Sequence, residues 1–161
     1  LRPSSPVRVV AAAASQYLQS RPVMSGIKGL EVYVPRHCVD AAALEADDGC
    51  SSSATRGLLV ERYTACGEDE DAVSMALTAM RRLMSNHHVR SCEIGKLQVG
   101  SESKLDRSKS MKSEIISLVE SGSCDAEGAD HSGKCASSMP SLTSCVKWAQ
   151  GESWDGRWAI A

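Results

Sequence analysis

The sequence predicts an α/β fold: a mixed, mostly parallel sheet with flanking helices. Two observations carry this. Short apolar runs of strand length alternate with longer segments whose apolar residues recur at helical spacing, in the order β-α-α-β-α-(β)-α-β. Strands separated by helices pair most simply in parallel, through right-handed crossovers that lay the helices on the faces of the sheet. At 161 residues the chain is sized for one ordinary core.

The elements follow in order. After Gly26, "IKGLEVYVP" sets Ile27, Leu30, Val32 and Val34 among polar or small neighbours and stops at Pro35, which reads as a buried strand. Asp40 is a suitable N-cap for "AAALEA", a helix that Asp48-Gly49 ends. "CSSSATRG" has no apolar period and reads as an exposed loop. From Asp69, the positions Val73, Ala76, Leu77, Met80, Leu83 and Met84 mark a helix, with acidic residues at its start and Arg81 and Arg82 at its end. "EIGKLQVG" is a strand and "SKSMKSEIISLVESG" an amphipathic helix closed by Gly122. Residues 127 to 134 form a short connecting segment. A last helix is expected from about Pro140 to Gly151, and "RWAIA" begins another strand.

Composition narrows the function classes. The chain is 42% hydrophobic and 24% charged with a net charge of -2, so there is no overall basic bias toward DNA. No apolar run approaches the roughly 18 residues a membrane span requires. Phenylalanine is absent, so the core must come from Leu, Ile, Val, Met, Ala and Cys. The seven cysteines, at 38, 50, 66, 92, 124, 135 and 145, include no CxxC pair and predict a reducing compartment without a disulfide framework or zinc finger. Charge is uneven: Arg2, Arg8, Arg21 and Lys28 make the first 30 residues purely basic. Residues 1–25 therefore read as a basic, Ala-, Ser- and Arg-rich extension ahead of a domain over 26–161. Its composition is that of a mitochondrial targeting segment, with a plastid or cytoplasmic address as alternatives and an Ala-rich helix packed on its own domain as the plain reading.

Three segments together resemble the amino-terminal part of the hydroxymethylglutaryl-CoA synthases, condensing enzymes of thiolase fold. "GIKGLEVYVPRHCVDAAALEADDG" is similar to the family's opening strand and helix, with its E-x-Y-x-P and L-E-x-x-D-G elements. "IGKLQVGSESKLDRSKSMKSEI" resembles I-G-x-L-x-V-G-[TS]-E-[TS] followed by D-[KR]-S-K-S-x-K. "AEGADHSGKCASS", with "VKWAQGESWDGRWAIA" behind it, is similar to the segment around the family's nucleophile. The resemblance implies a partial, half thiolase-like fold lacking the second half. It places the family's nucleophilic cysteine, which takes an acetyl group from acetyl-CoA, on Cys135, and its general acid/base glutamate, which serves the condensation with acetoacetyl-CoA, on Glu102. Activity at such a thiol needs a lowered pKa and backbone donors for the acyl oxygen.

The departures from the family pattern set the expectation for function. Where the family continues Tyr-Gly-Gly-Thr after its cysteine, this chain reads Ala136, Ser137, Ser138, Met139, Pro140, and a helix starting near Pro140 would leave Cys135 away from the positive helix end. Lys134 stands in place of a small residue. After Gly67 a Gly-rich, cysteine-containing loop of the family is missing, while the Ser-rich segment at 50–56 is an insertion. The half that supplies the family's catalytic histidine and much of its CoA site is not within these residues. The first expectation is therefore a structural or interaction subunit of a larger mitochondrial assembly, a ribosome or a respiratory complex, held by other protein subunits and through residues 1–25 by rRNA, with Cys135 and Glu102 vestigial and no cofactor. The alternative is the N-terminal part of an active acetyl-CoA-condensing synthase completed by a second half, with a CoA thioester as substrate. A third is a CoA or acyl-carrier binding module without turnover.

Other residues read more plainly. His131, four residues before Cys135, suggests a Cys-His dyad, but the resemblance puts a threonine there. His87, His88 and Cys92 match no strong metal template and suit a solvated helix end. "DRSKSMK" is a basic run that could touch phosphate, and the resemblance explains it as a segment at a dimer face or near the site. Trp148, Trp154 and Trp158 are expected to pack the last helix on the sheet, with Asp155-Gly156 making a turn.

Overall fold

The computed structural model describes residues 25–50, 53–118, 125–133, 136–152 and 154–161. The basic extension lies, except for Ser25, outside the described residues, as does the expected helix end at Gly122. β1 (His37–Asp40) and β2 (Arg62–Ala65) form a separate antiparallel ribbon in which Cys38 faces Thr64. β3 (Ile94–Gly100) is the centre of a parallel three-stranded sheet, with β4 (Glu127–His131) on one side and β5 (Trp158–Ile160) on the other. The sheet is the α/β arrangement that the alternating pattern predicts. The connecting segment at 127–134 contributes a full strand of it.

Local signals set the helices. α1 (Ala41–Asp47) is capped by Asp40, whose side chain accepts the Ala43 N–H at 3.1 Å. α2 (Ala72–Asn86) starts in a reciprocal cap: the Ser74 N–H donates to Asp71 at 2.6 Å and the Asp71 N–H to the Ser74 hydroxyl at 2.8 Å. Arg81 and Arg82 are not its end, because the helix runs a further turn to Asn86 before closing at His87. α3 (Met111–Ile115) passes into a tighter turn at Ile116–Leu118. α4 is Ser138–Gln150.

The core is aliphatic, as a chain without phenylalanine requires. Met80, Ile94, Leu97, Met111, Ile115, Ile116 and Ala126 are buried together, with Val73, Ala76, Leu77 and Met84 of α2 packed against them. Leu97 and Val99 turn toward α2 and α3. The alternate residues Lys96 and Gln98 turn toward α4, where Lys96 lies 5.9 Å from the Trp148 ring centre. Truncating a side chain such as Leu97, 2% exposed, costs about 2 to 5 kcal/mol. Of the tryptophans, Trp148 is buried and Trp154 donates its Nε1–H to the Arg157 carbonyl at 2.9 Å, but Trp158 is 43% exposed and does not pack the helix on the sheet. It begins β5, which has no neighbour on its outer side among the described residues.

The segment over 27–34 is not the buried strand that its pattern predicts. It is extended, but no described strand pairs with it, and Ile27, Leu30, Val32 and Val34 are 62–76% exposed. The alternation is correct and the buried face is reversed. Glu31 turns inward to accept from Asn86 at 2.8 Å, and Tyr33 donates its hydroxyl proton to Glu70 and lies 5.5 Å from the Arg82 guanidinium. Polar contacts to α2 and its cap hold the segment, and the apolar side chains are left outward.

Glu70 is the hub of that attachment. Its side chain, 4% exposed, accepts from Tyr33, from the Gly67 N–H at 2.7 Å and from the Arg36 N–H at 3.3 Å. The Tyr33 hydrogen bond, then the Gly67 N–H, hold its carboxyl down to about 2. A folded-state value below the unfolded one gives stability that is complete above the ordinary glutamate range, near 4.5, and is lost as pH falls toward about 2. Glu70→Gln should therefore lower the melting temperature at pH 7, and the melts of the two proteins should converge in acid near pH 2.

Candidate active site

The carboxyl ends of parallel strands are where open α/β sheets bind ligands, because the loops leaving them diverge. Here β3 ends at Gly100 and β4 at His131, tied by the Ser101 N–H donating to the His131 carbonyl at 3.1 Å. Between them opens a cleft of about 380 Å³, lined among others by Ser101, Glu102, Lys104, Arg107, Asp130 and His131. A broader, shallower hollow of about 630 Å³ lies beside α4 near Lys96 and Trp148. It holds neither Glu102 nor His131.

Asp130 organises the cleft wall. Its carboxylate accepts the N–H groups of Met111 at 2.7 Å and Lys112 at 2.8 Å, and the Lys104 ammonium at 3.2 Å. Partial burial pushes its pKa up, but the Lys112 and Met111 N–H bonds, with those from Lys104 and Ser110, outweigh it and hold the carboxyl below its usual value. The end of β4 thus fixes the start of α3 and the loop that carries Glu102. Behind the cleft, Gln98 is 4% exposed and its Oε1 lies 2.8 Å from His131 Nε2.

Gly100 lets α4 approach. A Cβ there would lie 2.6 Å from the Ser137 carbonyl oxygen, so only a bare backbone fits. Gly133 has φ +147°, a conformation side-chain-bearing residues rarely adopt, on the way out of β4. Lys134 and Cys135 lie outside the described residues. The helix beyond them starts at Ser138, two residues before Pro140, after a turn in which the Met139 N–H donates to the Ala136 carbonyl at 3.2 Å. Pro140 is accommodated within the first turn, where its missing N–H has no helical partner to lose.

The structure thus brings Glu102, His131 and Arg107 of the basic run to one cleft. It keeps His87 elsewhere: that ring crowds Gly29 and lies 3.8 Å from Glu31. Asp130 and Gln98 are the residues whose roles sequence reasoning missed. Asp130 carried a signal within "AEGADHSGKCASS", whereas nothing in "EIGKLQVG" singles out Gln98.

Residues 21–161 match the sequence model of the family described as hydroxymethylglutaryl-coenzyme A synthase N terminal. The chain belongs to the hydroxymethylglutaryl-CoA synthase family. It is 40% identical over 137 residues to the cytoplasmic hydroxymethylglutaryl-CoA synthase of Mus musculus, covering 84% of this chain and 26% of the mouse protein. Against the Saccharomyces cerevisiae synthase it is 36% identical over 143 residues, 88% of this chain and 29% of that one. Among solved structures, MvaS in complex with 3-hydroxy-3-methylglutaryl coenzyme A matches with a TM-score of 0.76 and 29% identity, over 84% of this chain and 32% of that one. A β-ketoacyl-[acyl carrier protein] synthase III from Thermus thermophilus, at 19% identity and a TM-score of 0.63, shares the fold alone, over 77% of this chain and 38% of its own. The fold is thiolase-like, and the chain spans about a quarter to a third of the length of these synthases.

Asp130→Asn keeps the shape but replaces one accepting oxygen by an amide. It should destabilise the protein by about 1 to 2 kcal/mol, the scale of a lost helix cap, measured as a lower denaturation midpoint.

Proposed function

We propose that this chain is the thiol-bearing N-terminal part of an acetyl-CoA-condensing synthase, catalytic when the polypeptide that completes its fold is present. The observation that carries the reading is the placement of Glu102, the family-equivalent acid/base, in the cleft at the ends of β3 and β4, with Ser132 and Gly133, which lead to Cys135, lining the same cleft. The start of α4 at Ser138 supports it too, since the positive end of that helix follows Cys135 by three residues. In the first step the Cys135 thiolate attacks the thioester carbon of acetyl-CoA, the C–S bond to CoA breaks, and acetyl-Cys135 and free CoA result. In the second, Glu102 moves the proton that condensation with acetoacetyl-CoA requires.

Incubation with acetyl-CoA, together with the completing polypeptide, should yield a digest peptide acetylated at Cys135. Glu102→Gln should keep that label while lowering condensation at least ~100-fold. Absence of label with every completing chain present would overturn the reading.

A second reading has one specific observation in its favour: the outward row of Ile27, Leu30, Val32 and Val34, which suits a subunit held by neighbours. On that reading the chain is an interaction block in a larger mitochondrial assembly, ribosomal or respiratory. Native size fractionation of the endogenous protein separates the two: migration with a very large particle favours the block, and a small complex with a synthase-like chain favours the enzyme.

A further inference from the structure

The β1–β2 ribbon is separate from the sheet that bears the cleft, and it carries two cysteines that the proposed condensation does not use. In its register Cys38 stands opposite Thr64, and residues directly opposite share a face. The alternation continues past the last paired residue. A Cβ on Gly67 would lie 3.4 Å from the His37 imidazole, so Ala65 and Gly67 share the His37 face and Cys66 falls on the other, with Thr64 and Cys38. The two chain ends are pinned together there, because the Gly67 N–H and the Arg36 N–H both donate to Glu70. Cys38 and Cys66 are therefore diagonal neighbours on one face of the ribbon, and both are exposed free thiols.

The spacing selects what such a pair can hold. Diagonal neighbours stand about 7 to 8 Å apart at Cα, whereas a disulfide spans at most about 6.8 Å. An ion between the sulfurs replaces one S–S bond of ~2.05 Å by two metal–sulfur bonds of ~2.3 Å, which takes up the extra distance. Zinc asks for four ligands, and among the described residues no three His, Cys, Asp or Glu side chains are grouped to hold an ion. Thiolates select soft ions, of which Cu(I) is stable with two sulfurs in line. We infer that Cys38 and Cys66 form a two-coordinate site for a soft monovalent cation, Cu(I). Each thiol releases its proton to solvent as its sulfur bonds the ion, so two protons leave per ion bound and no oxidation state changes. The ion bridges β1 to the chain leading into the Glu70 hub, and binding stabilises that attachment by mass action.

The test titrates the 161-residue chain with Cu(I), without oxygen, in competition with the chromophoric chelator bathocuproine disulfonate. A parent variant carrying Cys50→Ser, Cys92→Ser, Cys124→Ser and Cys135→Ser removes the other thiols except the buried Cys145. The parent should still withhold one equivalent of Cu(I) from the chelator, and adding either Cys38→Ser or Cys66→Ser should release it. Because both side chains are exposed, those two variants should melt with the parent in the absence of copper, and Cu(I) should raise the melting temperature of the parent alone. X-ray absorption at the copper edge should show two sulfur ligands. No equivalent withheld, an equivalent that survives either substitution, or a copper centre with three or more sulfurs overturns the inference. The parent lacks Cys135, so the outcome is independent of the condensing role.

Discussion

The carboxylate of Asp130 is the contact on which the arrangement of the cleft depends. It stands at the end of β4 and receives two N–H groups from the first turn of α3 and the ammonium of Lys104. A helix as short as α3 has little stability of its own, because closing its first turn costs more than one hydrogen bond returns. Anchoring that turn to a strand end makes the loop between them a fixed bridge. Since the loop carries Glu102 and Arg107, the chemistry of the cleft is held in place by a residue that need take no part in it.

On the opposite face the same logic works through absence of side chains. Gly100 admits the Ser137 carbonyl to van der Waals range, so α4 starts close against the end of the central strand. Further along, α4 buries Ser141, Cys145 and Trp148 and turns Met139, Leu142 and Val146 outward. Cys145 is pushed up to about 11 by burial and rests against the Ile160 carbonyl, which makes it a packing residue with an inert thiol. The helix therefore has one face committed to this sheet and another that remains apolar toward the outside.

Much of this was legible before any coordinates. Helical spacing marked Met80 and Leu77, strand patterning marked Ile94 and Leu97, and both sets meet in the core because periodicity reports which side of an element is buried. Caps at Asp40 and the closure at Gly151 followed from local chemistry. What failed did so for identifiable reasons. Residues 27–34 alternate properly, but periodicity cannot say which face has a partner, and the inward contacts are hydrogen bonds to Glu70 and Asn86, residues about 37 and 55 positions away. Gln98 was hidden because a polar residue in a strand reads as exposed unless the helix covering it is known.

The extended segment has a consequence for how the chain behaves in solution. Its apolar row faces outward, while Tyr33 and Glu31 are turned toward α2 and its cap and hold it in that orientation. It is held straight and left adhesive, as is the outer side of β5. Two copies of such a surface can pair with each other, so self-association rises with concentration. Dilution or a chaperone that shields short β segments would each hold it back.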